Sequence, residues 1–267
     1  MSYVEPIADK KHLKQCSRYI KQNFDSAYSL IWAIGIETGY RITDITQLKY
    51  SNIDFDTRSI KIAENKGSKA SKARARLKVL EQVKNELIAL YSDNNHKMMQ
   101  VFITKPKDVY SLIPDSLKPL IDQRIDDAVS KAPLKYRTAK LSVSTIKQLR
   151  ARQVKFNLID NGDVFARSTL GSNRSRNTDG VITRQSCWKV FSKLTDFMAT
   201  LGQKVKVACH SLRKIFARHL YTSSNNNIGL LMKVIGHSSP EMSLRYIGIN
   251  DTEQLTAIDN MFSYYNQ

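Results

Sequence analysis

The chain has 267 residues, with 42 lysines and arginines against 24 acidic residues, a formal charge of +18 and an isoelectric point near 9.8. That length accommodates one large folded domain with appendages, and a charge so far from balance favours a polyanionic partner. The longest apolar stretch, Leu30–Ile36 interrupted by Gly35, is too short to span a bilayer, and the N-terminus is charged rather than signal-like; both features predict a soluble, intracellular protein. Cys16, Cys187 and Cys209 are scattered, odd in number and lack Cys-x-x-Cys spacing, so neither a disulfide framework nor a zinc site is expected.

Residues 10–24 form a basic helix in pattern, carrying Lys10, Lys11, Lys14, Arg18 and Lys21 with Leu13 and Ile20 on its inner side. Asp25 or Ser26 can cap a second helix that turns Tyr28, Ile31, Trp32 and Ile34 inward and stops at Gly39, so that Arg41 directly follows a helix end. Thr43 is expected to cap a helix through Leu48, and Ile53–Phe55 to lead into an antiparallel sheet. Its strands are predicted at Ser59–Ala63 and Ala75–Leu80, joined by the turn Asn65-Lys66-Gly67-Ser68-Lys69. Glu81–Tyr91 reads as an amphipathic helix.

From Ser92 to about Gly162 prolines break the pattern repeatedly, predicting an insertion with two or three short helices. Its second half carries Lys131, Lys135, Arg137, Lys140, Lys147, Arg150, Arg152 and Lys155 with no acid among them, a one-sidedness that suits phosphate contact. Gly171–Gly180 is a polar loop. Thr183 can cap a helix over 184–201 that buries Trp188, Phe191, Leu194 and Phe197 or Met198. Helices over 211–221, 228–236 and 240–247 follow. The last helix, Asp251–Tyr265, opens on capping-box spacing between Asp251 and Gln254 and aligns Leu255, Ile258, Met261, Phe262 and Tyr265.

Within this frame lie Thr38-Gly39-Tyr40-Arg41-Ile42-Thr43-Asp44, His210-Ser211-Leu212-Arg213, Ile235-Gly236-His237-Ser238-Ser239 and Leu244-Arg245-Tyr246. A phosphodiester repels nucleophiles and gathers more charge on its equatorial oxygens as it reacts, so its cleavage needs preorganised positive donors. Arginine supplies two donors in one plane and stays protonated. Arg41 and Arg213 are therefore candidates to grip a phosphate, with His210 and His237 completing the donors. A tyrosine nucleophile, here Tyr246, conserves the bond energy as a phosphotyrosyl ester, so that strands can be resealed without ATP. The departing sugar oxygen needs a proton, which a lysine at the turn, Lys66, can supply.

These motifs resemble those of the tyrosine recombinase, or phage integrase, family. Thr38–Asp44 matches its first box, Thr-Gly-x-Arg-x-[Ser/Thr]-[Glu/Asp], throughout. His210, Arg213, His237 and Tyr246 match its second box, with Ile235 in place of the usual Leu. Lys66 matches the family's hairpin lysine, with Lys69 and Lys72 as substitutes in a lysine-rich turn. The resemblance implies that Asp44 supports the arginine and histidine network, and that the fold is mainly α with a small antiparallel β-sheet. It covers about residues 4–91 and 164–250.

The implied activity is site-specific DNA integration, excision or inversion through a 3'-phosphotyrosyl intermediate, with no metal or nucleotide cofactor. The implied partners are double-stranded DNA, further copies of the chain in a dimer to tetramer, and an accessory directionality or DNA-bending protein, in a cytoplasmic, nucleoid-associated setting without membrane contact. The alternatives are a type IB topoisomerase and a DNA-binding regulator that has lost the chemistry.

The start, Val4 to Lys11, resembles that of a compact subgroup with little or nothing before the catalytic domain. The expected organisation is a basic segment over 1–24, a catalytic domain over 25–250 with the insertion at 92–162, and a C-terminal amphipathic helix over 251–267 that docks on a neighbouring subunit or folds back in cis. The expected DNA contacts are Lys69, Lys72, Arg74, Lys131, Lys135, Arg137, Lys140, Lys147, Arg150 and Arg152, the insertion taking over part of a DNA clamp.

Overall fold

The computed structural model describes residues 6–170, 179–248, 255–256 and 258–262. The polar loop after Leu170 lies largely outside these residues, as do Asp251, Gln254 and Tyr265. The chain divides into two compact units, one formed by residues 1–61 and 138–267 and the other by residues 62–137. Among the described residues no helix is long and apolar enough to cross a membrane, and no group of His, Cys, Asp and Glu is arranged to hold a metal ion.

The first unit is helical. Helix α1 (Lys10–Asn23) starts where the Asp9 carboxylate accepts from Lys11 N, and α2 (Ser26–Thr38) starts where Asp25 accepts from Ala27 N. Helix α2 buries Leu30, Ile31, Trp32 and Ile34 and stops at Gly39, whose φ of 62° is the left-handed conformation that ends helices. The short α3 (Ile42–Thr46) follows with Arg41, not Thr43, at its N-cap position. After the chain's excursion into the second unit come α7 (Val143–Lys155), α8 (Arg184–Thr200), α9 (Cys209–Ser223), α10 (Ile228–Ile235) and α11 (Pro240–Ile247). Helix α2 is central, packing against α1, α3, α7 and α9. Helix α8 buries Phe191, Leu194 and Met198 as expected, whereas Trp188 is exposed rather than buried.

A three-stranded sheet in the order β1-β2-β3 joins Ile53–Asp54, Ser59–Ala63 and Tyr136–Lys140. Ile53 pairs with Ile60 and Asp54 with Ser59, antiparallel. Leu141 N donates to Arg58 O and Glu64 N to Lys135 O, each 2.8 Å, which sets β3 antiparallel to β2. The unit boundaries fall inside β2 and β3.

The expected strand at Ala75–Leu80 does not form. Residues Asn65–Leu90 are one 26-residue helix, α4. Alanine, lysine and arginine dominate its first half and favour helix, and the neighbours Val79 and Leu80 are both buried, which a one-sided strand does not allow but a helical stripe with Val83 and Leu87 does. Helices α5 (Asn95–Ile103) and α6 (Lys118–Ser130), with the 3-10 segment Pro106–Leu112, pack on α4 and complete a second core through Val101, Val109, Ile113, Ile121 and Ile125. The compact unit that interrupts the first one is residues 62–137, and the helix over 143–155 belongs to the first unit.

Candidate active site

Box one is a backbone device. Thr38 Oγ1 donates to Ile34 O at 2.7 Å and accepts from Tyr40 N at 3.2 Å. Gly39 takes the left-handed turn, and Phe216 lies so close that a Cβ there would sit 2.8 Å from its Cγ. The buried Tyr40 reaches β2 through a 3.0 Å hydrogen bond from its hydroxyl to Ile60 O. Pinned on both sides, the chain delivers Arg41 at the head of α3. Asp44 follows on α3 and is 4% exposed.

Box two sits at the start of α9. Ala208 N donates to Ser211 Oγ at 2.9 Å, holding the first turn, and Leu212 packs on Gly35 of α2. Arg213 is 2% exposed. Its Nη1 donates to Gly39 O at 2.8 Å and its Nη2 to Ile235 O. Both acceptors lie at helix C-termini, where carbonyls are unsatisfied and the dipole is negative. One guanidinium thus ties the end of α2 to the end of α10.

The third motif follows α10. Gly236, with φ of 69°, ends that helix, and His237 N caps it through Met232 O at 3.0 Å. His237 Nδ1 and the buried Ser243 Oγ share a 3.1 Å hydrogen bond, which orients the ring. The His237 and Tyr246 rings lie 4.8 Å apart between centroids, and the Arg213 guanidinium carbon is 5.8 Å from the Tyr246 ring centroid. Tyr246 packs against a small core of Ala217, Leu231, Ile235 and Ile247.

A cleft of about 150 Å³ is lined by Tyr40, Arg41, Ile42, Thr43, Arg184, Cys209, His210 and Arg213. Partial burial of its ring, then the charges of Arg184, Arg213, Arg41 and Lys214, hold His210 below the usual imidazole range. Its neutral form therefore prevails at pH 7, competent to accept a proton or to donate one hydrogen bond. Burial likewise pushes the Cys209 thiol up to about 11, which makes it wall rather than nucleophile.

Arg184, the first residue of α8, is the cleft residue that the motifs do not reveal. The Thr183 hydroxyl caps the helix by accepting from Ser186 N, and Cys209 Sγ donates to Arg184 O at 3.7 Å. In sequence it is one arginine after a capping threonine, and only the approach of α8 to α9 brings it to His210.

Other expected site residues fall elsewhere. Lys66, Lys69, Lys72 and Arg74 lie on α4, not on a strand-to-strand turn. Lys131, Lys135 and Arg137 belong to the second unit, and Lys140, Lys147, Arg150 and Arg152 to the first, so the acid-free run is not one surface within a single unit. Arg152 is not available to a phosphate. It is 5% exposed, its Nε donates to Val164 O at 2.8 Å, and its Nη2 donates to Thr169 Oγ1. Arg137 is paired with buried Glu64 at 3.2 Å. Lys131, Lys135, Lys140, Lys147 and Arg150 are exposed.

Residues 9–163, more than half the chain, match the phage integrase family. The chain belongs to this family. A Bacillus subtilis protein described as a probable integrase/recombinase, YoeC, is 39% identical over 46 residues, which is 17% of this chain and 25% of that protein. Among solved structures, the XerA recombinase aligns with a TM-score of 0.54 at 16% identity, covering 100% of this chain and 66% of its own. The XerH site-specific recombinase bound to its difH substrate gives 0.52 at 13%, covering 96% and 55%. The Tn1549 transposon integrase with transposon right-end DNA gives 0.52 at 13%, covering 98% and 67%. The chain thus spans a quarter of the curated relative and just under two thirds of XerA. These structural likenesses establish the fold, mainly α with a small antiparallel sheet, as that of the tyrosine recombinase catalytic domain.

Proposed function

We propose that this member of the phage integrase family is a site-specific DNA recombinase that breaks and rejoins duplex DNA through a 3'-phosphotyrosyl intermediate. The observation that carries the reading is the convergence of Arg41, His210 and Arg213 on one cleft, with Arg213 also beside the neighbouring rings of His237 and Tyr246. Arg41, Arg184 and His237 Nε2 donate to the non-bridging oxygens of the scissile phosphate, and Arg213, whose two Nη groups stay on the Gly39 and Ile235 carbonyls, adds its fixed positive charge to the same cleft. Asp44, buried in the first turn of α3, supports Arg41.

The Tyr246 oxygen attacks phosphorus, forming the P–O(Tyr) bond as the P–O5' bond breaks. Neutral His210 takes the tyrosine proton, and Lys66, the first lysine after β2, protonates the departing 5' oxygen. The reverse sequence, with another strand's 5'-hydroxyl attacking, reseals the DNA. Every charge required comes from side chains, so the reading calls for neither metal nor nucleotide. Double-stranded DNA is the substrate, and the exposed Leu255, Ile258, Met261 and Phe262 suit docking on a neighbouring copy in a DNA-bound dimer or tetramer, to which an accessory directionality or bending protein is added. Integration, excision and inversion share this chemistry.

The test is a nicked suicide duplex carrying the chain's target site. Wild type is expected to accumulate a covalent adduct. Tyr246→Phe is expected to form none, and an adduct in that variant, through Tyr264 or Tyr265 for example, refutes the assignment. Relaxation of supercoils without joined products would favour a type IB topoisomerase, and no adduct at all a DNA-binding regulator.

A further inference from the structure

Helix α4 is built in two unlike halves. Along one face run residues 69, 72, 76, 79, 83 and 87, spaced three or four apart and so stacked on a single stripe. The last three, Val79, Val83 and Leu87, are buried in the core of the second unit. The first three are Lys69, Lys72 and Arg76, all exposed. From Asn65 to Leu80 there is no acidic residue, and Arg74 and Lys78 extend the positive charge to the other side.

No residue from Ser68 to Lys78 is buried, so this half of the helix lacks the apolar stripe that holds most protein helices together. Lys72 and Arg76, and Arg74 and Lys78, are like charges four apart, an arrangement that disfavours helix. Beyond Leu80 the pattern reverses. Acids are interleaved with the cations, and Glu86 takes Arg124 at 2.7 Å while Asp115 takes Lys118 at 2.6 Å. The exposed Lys135 extends the basic end, its side chain lying across Gly67, where a Cβ would stand 2.9 Å from Lys135 Cδ. Between the cations the side chains are small (Gly67, Ser68, Ala70, Ser71, Ala73 and Ala75), except for Leu77, which is exposed.

We propose that the first half of α4, with Lys69, Lys72 and Arg76 on one side and Arg74 and Lys78 on the other, lies in the major groove of duplex DNA as a groove-tracking helix. The groove admits an α-helix and offers a phosphate wall on each side. Helical rise gives the fourteen residues Asn65–Lys78 a length of about 20 Å, enough to follow the groove over several base pairs. Small side chains between the cations let the backbone sit deep, and backbone phosphates remove the repulsion that the free helix carries. The proposal rests on duplex DNA being the substrate, but not on Tyr246 chemistry.

The experiment measures duplex affinity against salt for the full chain, for Lys69→Gln/Lys72→Gln/Arg76→Gln, and for a control with the same charge loss elsewhere on the unit, Lys97→Gln/Lys105→Gln/Lys107→Gln. Glutamine keeps helix propensity, and circular dichroism checks folding. Three lost phosphate contacts lower the slope of log K against log salt by about 2.7, so between 50 and 200 mM salt the variant's affinity falls about 40-fold less than wild type's. The control is expected to keep the wild-type slope. A duplex whose major groove is filled by glucosylated hydroxymethylcytosine is expected to weaken wild type more than the α4 variant. Equal slopes in the two variants, or equal sensitivity of wild type and the α4 variant to the filled groove, overturn the proposal. Adduct formation is scored separately. An unchanged slope with a Tyr246 adduct sinks the groove helix alone, and a changed slope without an adduct sinks the recombinase reading alone.

Discussion

Replacing Gly35 with alanine tests whether the distance between α2 and α9 sets the site. Gly35 is buried in α2, and a Cβ there would stand 3.0 Å from Leu212 Cβ and closer still to Leu212 Cδ2. In an unconstrained helix the change would stabilise by about 1 kcal/mol. Here the overpacking costs about 1–3 kcal/mol, so the net result is a loss of about 1 kcal/mol, or a fall of about 2–4 °C in Tm. Both tryptophans, Trp32 and Trp188, belong to the first unit, so their fluorescence follows that unit during urea unfolding. Leu212 lies between His210 and Arg213, and relief of the clash by moving α9 about 1 Å would lower the rate of adduct formation by about 10²-fold. Leu212→Val in the same chain should recover part of that rate. A Gly35→Ala protein that is more stable than wild type and equally fast refutes the reasoning.

Arg184→Gln should slow adduct formation by about 10²–10³-fold, the scale for losing one preorganised donor, while thermal stability stays near wild type because the side chain is exposed; single-turnover kinetics and a melting curve decide. Arg152→Gln should do the reverse, destabilising the first unit by about 1–3 kcal/mol through the Val164 carbonyl that loses its Nε donor and leaving the salt slope of duplex binding unchanged. His210, held low in the folded chain by burial and neighbouring cations, binds a proton less readily there than in the unfolded chain, whose value is about 6.5. Its contribution to stability is therefore full above that pH and is lost as pH falls through the folded value. A bound phosphate opposes the cationic field, so DNA binding near pH 6 should take up a proton, measurable by calorimetry in buffers of different ionisation enthalpy.

What the sequence determined by itself was local. Asp25 as a helix cap and the stop at Gly39 were legible because each depends on a few neighbouring residues. So were the motifs that hold Arg41, His210, Arg213, His237 and Tyr246, whose order in the chain is enough to recognise the family. What only the tertiary structure decided was what those residues meet. Residues 75–80 alternate well enough for a strand, but the partner of β2 is the distant β3, and the core that buries Val79 and Leu80 together needs a helix. Arg152 and Arg150 look alike in the acid-free run, yet one guanidinium is drawn inside by the Val164 carbonyl and the other stays exposed. Arg184 reaches the cleft because α8 packs on α9. Caps and turns depend on short-range hydrogen bonds, whereas the depth of a cation and the company it keeps depend on segments far apart along the chain.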